Sequence, residues 1–188
     1  MRLVHPIDFI ESLVAVDSHI VKAQISVYRY HPESLFDDRT TYSIAVEQLR
    51  AKYETLSVQL GENEDIAFHS LITIGDKRRE FKRHLALVDF VTADITRAEA
   101  TAEILIAELS SPPCALVYSG RSYHLYLGVQ LTPLSWTSFM GRLLLLNPRN
   151  GPAVIDARWV GHRLMGGYSA LRWSAKHSPY LPEIVREW

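Results

Sequence analysis

The sequence is poor in most of the features that place a protein in a class at sight. It holds one cysteine in 188 residues, Cys114, which excludes a disulfide framework and suits a reducing compartment. Set between Pro113 and Ala115-Leu116-Val117, that thiol reads as a small buried hydrophobe rather than a nucleophile. Charge of one sign is lacking too. With 20 Lys+Arg against 21 Asp+Glu the formal net charge is −1, so any basic site has to come from local clustering. Apolar runs such as Leu143 to Leu146 are far too short to span a bilayer. Met1 to Asp8 carries no apolar signal core. These absences predict a soluble, cytoplasmic chain with no membrane partner. No repeat, low-complexity tract or linker breaks the sequence.

What is present is material for a core: 47% of residues are hydrophobic and 22% charged, close to a globular average. The chain suits a single domain over 1–188, with an αβ unit over 1–62 set against a core over 63–188. Pro6 opens a helix carrying Ile7, Ile10, Leu13 and Val14 on one face. Val21, Ala23, Ile25 and Val27 alternate with polar residues as a half-buried strand. After a loop from His31 to Asp38, the stripe Tyr42, Ala45, Leu49, Tyr53, Leu56, Leu60 predicts an amphipathic helix ended by Gly61. Ile66 to Ile74 and Leu85 to Val91 read as strands around a Gly75-Asp76 turn. Between them lies the densest basic cluster, Lys77 to His84.

Thr96 with Glu99 forms a capping box for a third helix through Leu109, stopped at Pro112-Pro113. Strands at Ala115 to Tyr118 and Tyr123 to Val129 flank Ser119-Gly120-Arg121-Ser122. A helix from Thr132-Pro133 buries Trp136, Phe139, Met140 and Leu143. A short strand Ala153 to Ile155 ends at Asp156, a brief helix reaches Gly166-Gly167, and Tyr168 to Ser174 forms a last strand. The pattern is α+β, with helices on one face of a mixed or antiparallel sheet. The other face is left free to carry a site.

Asp89, His124 and Asp156 interrupt or end short strands that are otherwise apolar. An unpaired buried carboxylate costs several kcal/mol, so such positions carry a partner, a metal or a task. For each a structural reading stands beside the functional one. Asp156 suits the cap of the helix starting near Ala157. His124 shares strand parity with Tyr126 and Gly128 on the wetter face, as a surface histidine or as a phosphate contact beside the Gly-Ser turn. Arg172, between Leu171 and Trp173, suits a phosphate fork or an ion pair with one of the aspartates. The basic cluster is a solvated hairpin tip or a nucleic-acid backbone contact.

An acidic strand, then Ser122-Tyr123-His124, then Ile155-Asp156, then Leu171-Arg172-Trp173-Ser174 is an order of motifs that resembles the archaeo-eukaryotic primase (primase-polymerase) superfamily. The wording is closest to its bacterial primase 1D-like branch: Arg83-His84-Leu85-Ala86-Leu87-Val88-Asp89-Phe90, Ser119-Gly120-Arg121-Ser122-Tyr123-His124-Leu125-Tyr126, and Asp156-Ala157-Arg158-Trp159-Val160-Gly161-His162-Arg163-Leu164. The likeness spans roughly residues 66 to 185.

The resemblance implies an RRM-like sheet with the N-terminal αβ unit packed on it, and a nucleotidyltransferase using nucleoside triphosphates. It implies Asp89 and Asp156 as ligands of Mg²⁺ or Mn²⁺ and, with His124, as the catalytic set. His124, Arg172, Ser119, Arg121, Ser122, Ser174 and Lys176 would line the nucleotide pocket. Arg78, Arg79, Lys82 and Arg83 would meet single-stranded or primed nucleic acid. A bacterial defence operon with an encoded partner protein is a further implication.

One departure stands. The superfamily's first motif pairs two acids one position apart, and here the mate of Asp89 is Val91. For Asp94, the alternative first-motif residue, the mate is Thr96. The lost carboxylate leaves one metal with a substrate phosphate, or a degenerate nucleotide- or nucleic-acid-binding sensor.

Overall fold

Apolar residues at alternate positions of Ile20–Arg29 bury Ala23 and Ile25 and build β1, the strand on which the sheet is organised. A computed structural model of the chain describes residues 3–29, 31, 34, 38–76, 78–174 and 181–188. The elements are α1 (Pro6–Val16), β1, β2 (Asp38–Ala45), α2 (Leu49–Gln59), β3 (Glu64–His69), β4 (Leu71–Gly75), β5 (Glu80–Asp89), α3 (Ile95–Glu108), β6 (Cys114–Tyr118), β7 (Tyr123–Leu131), α4 (Pro133–Leu145), α5 (Ala157–Gly166), β8 (Ala170–Arg172) and β9 (Glu183–Glu187). The chain is α+β, and every strand pairing among the described residues is antiparallel.

The sheet runs β8-β3-β1-β4-β5-β7-β6-β9, with β2 on the other side of β1. β3 and β4 both pair with β1 and are parted at Ser70. There the sheet forks: the Ser70 amide donates to Ser169 O (2.8 Å) ahead of β8, and its carbonyl accepts from Leu85 N (2.8 Å) on β5. Its hydroxyl accepts from Ser169 N (2.9 Å) and bonds His84 Nδ1 (3.0 Å), so no polar group of this buried serine is wasted.

Strand parity divides the core into two. Leu85, Leu87, Val117 and Tyr126 face α1 and α2 together with Phe68 and Trp173. Trp173 stacks on Phe68 (4.6 Å between centroids) and donates its indole N–H to Tyr126 Oη (3.0 Å). The alternate residues Ala86, Val88, Leu116, Leu125 and Leu127 face α3, α4 and α5. Burial of each such large side chain stabilises the fold by about 1.5–3 kcal/mol.

Helices therefore cover both faces. The face expected to lie free is closed by α1, whose Phe9 meets the Tyr126 ring and whose Leu13 lies where a side chain on Gly128 would go.

Other expectations are revised. Residues 38–45 are strand, because alternation in Asp38-Arg39-Thr40-Thr41-Tyr42-Ser43-Ile44 and pairing with β1 outweigh the helical spacing of Tyr42 and Ala45. The cap of α3 is Asp94, not Thr96, whose amide is instead one of the groups capped. The stretch before Asp156 makes only the isolated bridge Ile155–Phe90. β9 was not foreseen. Cys114 is buried, and burial pushes its thiol up to about 11, as suits a packing residue.

Candidate functional site

The register of three neighbouring segments decides the site. Asp89 ends β5 and lies opposite His124 of β7, which itself lies opposite Val117 of β6. On the far side of β5, Phe90 bridges Ile155, Val91 N donates to Val154 O (2.9 Å), and Asp156 N donates to Asp89 O (3.0 Å). Asp156, Asp89 and His124 thus stand side by side across the sheet. Their neighbours along the strands, Ile155, Val88 and Leu125, are buried on the opposite face.

Asp156 has two tasks. As N-cap of α5 its Oδ1 accepts from Trp159 N (2.9 Å). The same carboxylate lies close enough to Asp89 to raise that group's pKa. Arg163, two turns along α5, is 4% exposed, and its guanidinium acts on Asp89. Sequence reasoning overlooked this residue as a site residue. Its signal was the i, i+7 spacing from Asp156, which sets both on one helix face.

Burial, then the Asp156 charge, push Asp89 up to about 8, against the pull of Arg172, Arg163 and Arg121. Burial and Arg172 press His124 down to about 3. At neutral pH the imidazole is uncharged and Asp89 largely protonated. Their approach, Nε2 to Oδ1 at 3.6 Å, is thus neither an ion pair nor a hydrogen bond. His124 is 5% exposed rather than on a wet face, and its Nδ1 is buried without a hydrogen-bond partner among the described residues.

The other anticipated residues divide. Arg172 donates to the carbonyls of Ser119 and Ser174, which fixes its guanidinium between β8 and the β6–β7 turn. In that turn Ser119 Oγ donates to Ser122 O (3.0 Å) and lies 3.3 Å from Ser122 Oγ, with Gly120 at φ 104°. Arg121 is exposed at its tip. Ser174 is turned inward: its hydroxyl donates to Asp65 Oδ1 (2.6 Å) and accepts from Ile66 N (2.9 Å). Asp94 is exposed, and its carboxylate accepts from Thr96 N (2.9 Å) and Arg97 N (3.4 Å). Lys176 lies outside the described residues, as does Lys77. Arg78, Arg79, Lys82 and Arg83 lie on the β4–β5 hairpin, with Arg79 over the Phe81 ring (4.5 Å) and Lys82 Nζ on Thr73 Oγ1 (2.7 Å).

No group of three or more His, Cys, Asp or Glu among the described residues is placed to hold a metal alone. Two apposed carboxylates are nonetheless a hard-oxygen set that suits one Mg²⁺ or Mn²⁺, which takes its other ligands from phosphate and water. Val91, at the position where a second acid would stand, is 52% exposed and offers no ligand atom from its side chain.

The sequence model of one family, AEP-like: Archaeo-eukaryotic primase 1D-like, matches residues 45–184. The chain belongs to this family. The span matched by the archaeo-eukaryotic primase 1D-like family holds Asp89, His124, Asp156 and Arg172, and leaves out α1, β1 and nearly all of β2. No curated protein and no solved structure matches the chain. No helix among the described residues is long and apolar enough to cross a membrane.

Proposed function

We propose that this primase-like chain is a nucleotidyltransferase that takes a nucleoside triphosphate and one divalent cation, Mg²⁺ or Mn²⁺, at the Asp156–Asp89–His124 row. The observation that carries the reading is that row itself: two carboxylates and a buried imidazole whose Nδ1 has no hydrogen-bond partner among the described residues, set beside the guanidinium of Arg172. A bound cation supplies neutralisation of the phosphates and of the charge that develops in transfer. Asp89 and Asp156 would hold it, and Asp89 would give up its proton on doing so. Arg172, with Arg121, takes the β- and γ-phosphate oxygens. His124, neutral, bonds a phosphate oxygen without adding a charge to be desolvated. In the reaction an attacking hydroxyl would form a bond to the α-phosphorus and lose its proton to solvent while the bond to pyrophosphate breaks.

Arg78, Arg79, Lys82 and Arg83 would carry the backbone of a single-stranded or primed nucleic acid, roughly 20–35 Å from Asp89 in the direction of β5. A second reading, a nucleotide or nucleic-acid sensor without catalysis, is favoured by Val91 alone. A defence role beside an operon-encoded partner belongs with either reading.

Titration calorimetry with ATP, GTP and dNTPs, with and without Mn²⁺, tests the proposal. Metal-dependent binding followed by primer synthesis or extension supports the enzyme. Binding without turnover supports the sensor, and no binding under any condition rejects both.

A further inference from the structure

All but the last residue of the β1–β2 hairpin lies ahead of the family-matched span, yet one of its faces is shared with Arg172 of the site. Tyr28 and Ser26 share a face of β1. Ser26 is opposite Ala67 of β3, and Ala67 is opposite Arg172 of β8, so Tyr28, Ser26 and Arg172 lie on one face of the sheet. Arg39, opposite Tyr28 on β2, sets its guanidinium over the Tyr28 ring (4.2 Å) and donates from Nη1 to Ser26 Oγ (3.0 Å). Ser26 is fully buried and is held in turn by His69 Nε2 (2.8 Å). Arg39 is thereby pinned, and the Tyr28 ring with it.

The Tyr28 hydroxyl makes no hydrogen bond among the described residues, and the side chain keeps partial exposure. Burial chiefly, with Asp65 and Asp89 adding, raises its pKa, against Arg39 and Arg172. The phenol therefore stays protonated as a donor, within the fields of both Asp89 and Arg172.

We infer that Tyr28, backed by Arg39, is a further substrate-contacting residue: its hydroxyl bonds the nucleoside side of the bound triphosphate, where the sugar joins the α-phosphate. The inference rests on the nucleotide reading above. With the phosphates held at Arg172 and the cation at Asp89 and Asp156, the sugar has to leave along a wall. The face carrying Tyr28 is a polar wall next to Arg172 with an unclaimed donor. An aromatic ring with a hydroxyl at its rim suits a sugar better than it suits a phosphate.

The test is calorimetry of wild type, Tyr28→Phe and Tyr28→Ala with ATP, dATP and inorganic triphosphate in Mn²⁺, with a thermal melt of each. Tyr28→Phe is expected to melt with wild type, to weaken ATP five- to tenfold and to leave triphosphate within twofold. Equal binding of ATP by Tyr28→Phe and wild type overturns the inference while the nucleotide reading stands. Equal weakening of ATP and triphosphate also overturns it, since the residue then acts only through the field at the phosphates. If wild type binds triphosphate but not ATP, or neither, the nucleotide reading falls and takes the inference with it.

Discussion

The main-chain amide of Asp156 donates to the carbonyl of Asp89 (3.0 Å), so two carboxylates far apart in sequence are set side by side by a backbone hydrogen bond. The spacing of the two backbones does not depend on side-chain choice, and the charge at either position can be altered without moving the other's main chain.

Asp156→Asn retains a capping oxygen for Trp159 N and loses the charge. It is expected to keep the melting temperature of wild type and to lower Mn²⁺-dependent nucleotide affinity at least tenfold. Asp156→Ala loses the cap as well, at about 1 kcal/mol, and melts roughly 2–4 °C lower. Calorimetry and thermal melts of the pair separate the two tasks. Full binding by Asp156→Asn would remove Asp156 from the cation site.

The shifted groups also fix a pH dependence. Asp89 binds its proton more tightly folded (about 8) than unfolded (3.8), so its contribution to stability falls as pH rises from about 4 to about 8. His5, His84 and His124 are shifted the other way by burial, so their contributions grow with pH up to 6.5 and then stop. Between pH 6.5 and 8 Asp89 is the leading shifted group among the described residues, and metal-free stability should fall by about 1 kcal/mol per unit. Asp89→Asn should flatten that slope in denaturant unfolding and raise stability at pH 8. Mn²⁺ binding to wild type should release close to one proton at pH 7, seen as a dependence of the calorimetric heat on buffer.

His124→Gln keeps a neutral hydrogen-bonding side chain, and His124→Ala keeps none. Triphosphate affinity should drop about tenfold for alanine and less for glutamine, at the scale of one hydrogen bond to a charged group. The apparent Mn²⁺ affinity without nucleotide should stay within twofold. An alanine variant that binds ATP as wild type does would show that the buried Nδ1 has no ligand.

Neutralising Arg78, Arg79, Lys82 and Arg83 together should reduce the slope of log K against log salt for single-stranded nucleic acid by about two to three. Titrations between 50 and 200 mM salt read the slope directly. An unchanged slope would leave the hairpin a solvated tip.

The fold was legible in sequence wherever one residue's environment was set locally. Pro6, Pro133 and Asp156 mark helix starts by their own backbone or side-chain chemistry, and Leu85 to Val88 could only be a buried strand. It was illegible where pairing decided. Tyr42 and Ala45 keep helical spacing, yet β1 offers residues 38–45 a ladder, and the ladder wins. At the site, Asp89, His124 and Asp156 could be named because a polar residue within an apolar strand is anomalous in itself. That His124 is buried, and that Ser174 turns to Asp65, depend on what α1 and β3 bring across. Tyr28 and Arg163 gave weaker signals, because a tyrosine in a strand and an arginine in a helix are ordinary.

The double use of Asp156 couples two properties that most enzymes vary independently. One carboxylate starts α5 and offers charge to the site, so a change that frays the first turn of α5 lets that oxygen swing out of line with Asp89. Substitutions at Ala157 or Trp159 are then expected to register as a loss of affinity. On the proposed reading helix nucleation becomes a dial on ligand binding, and its setting can be read from an amide-exchange rate at Trp159.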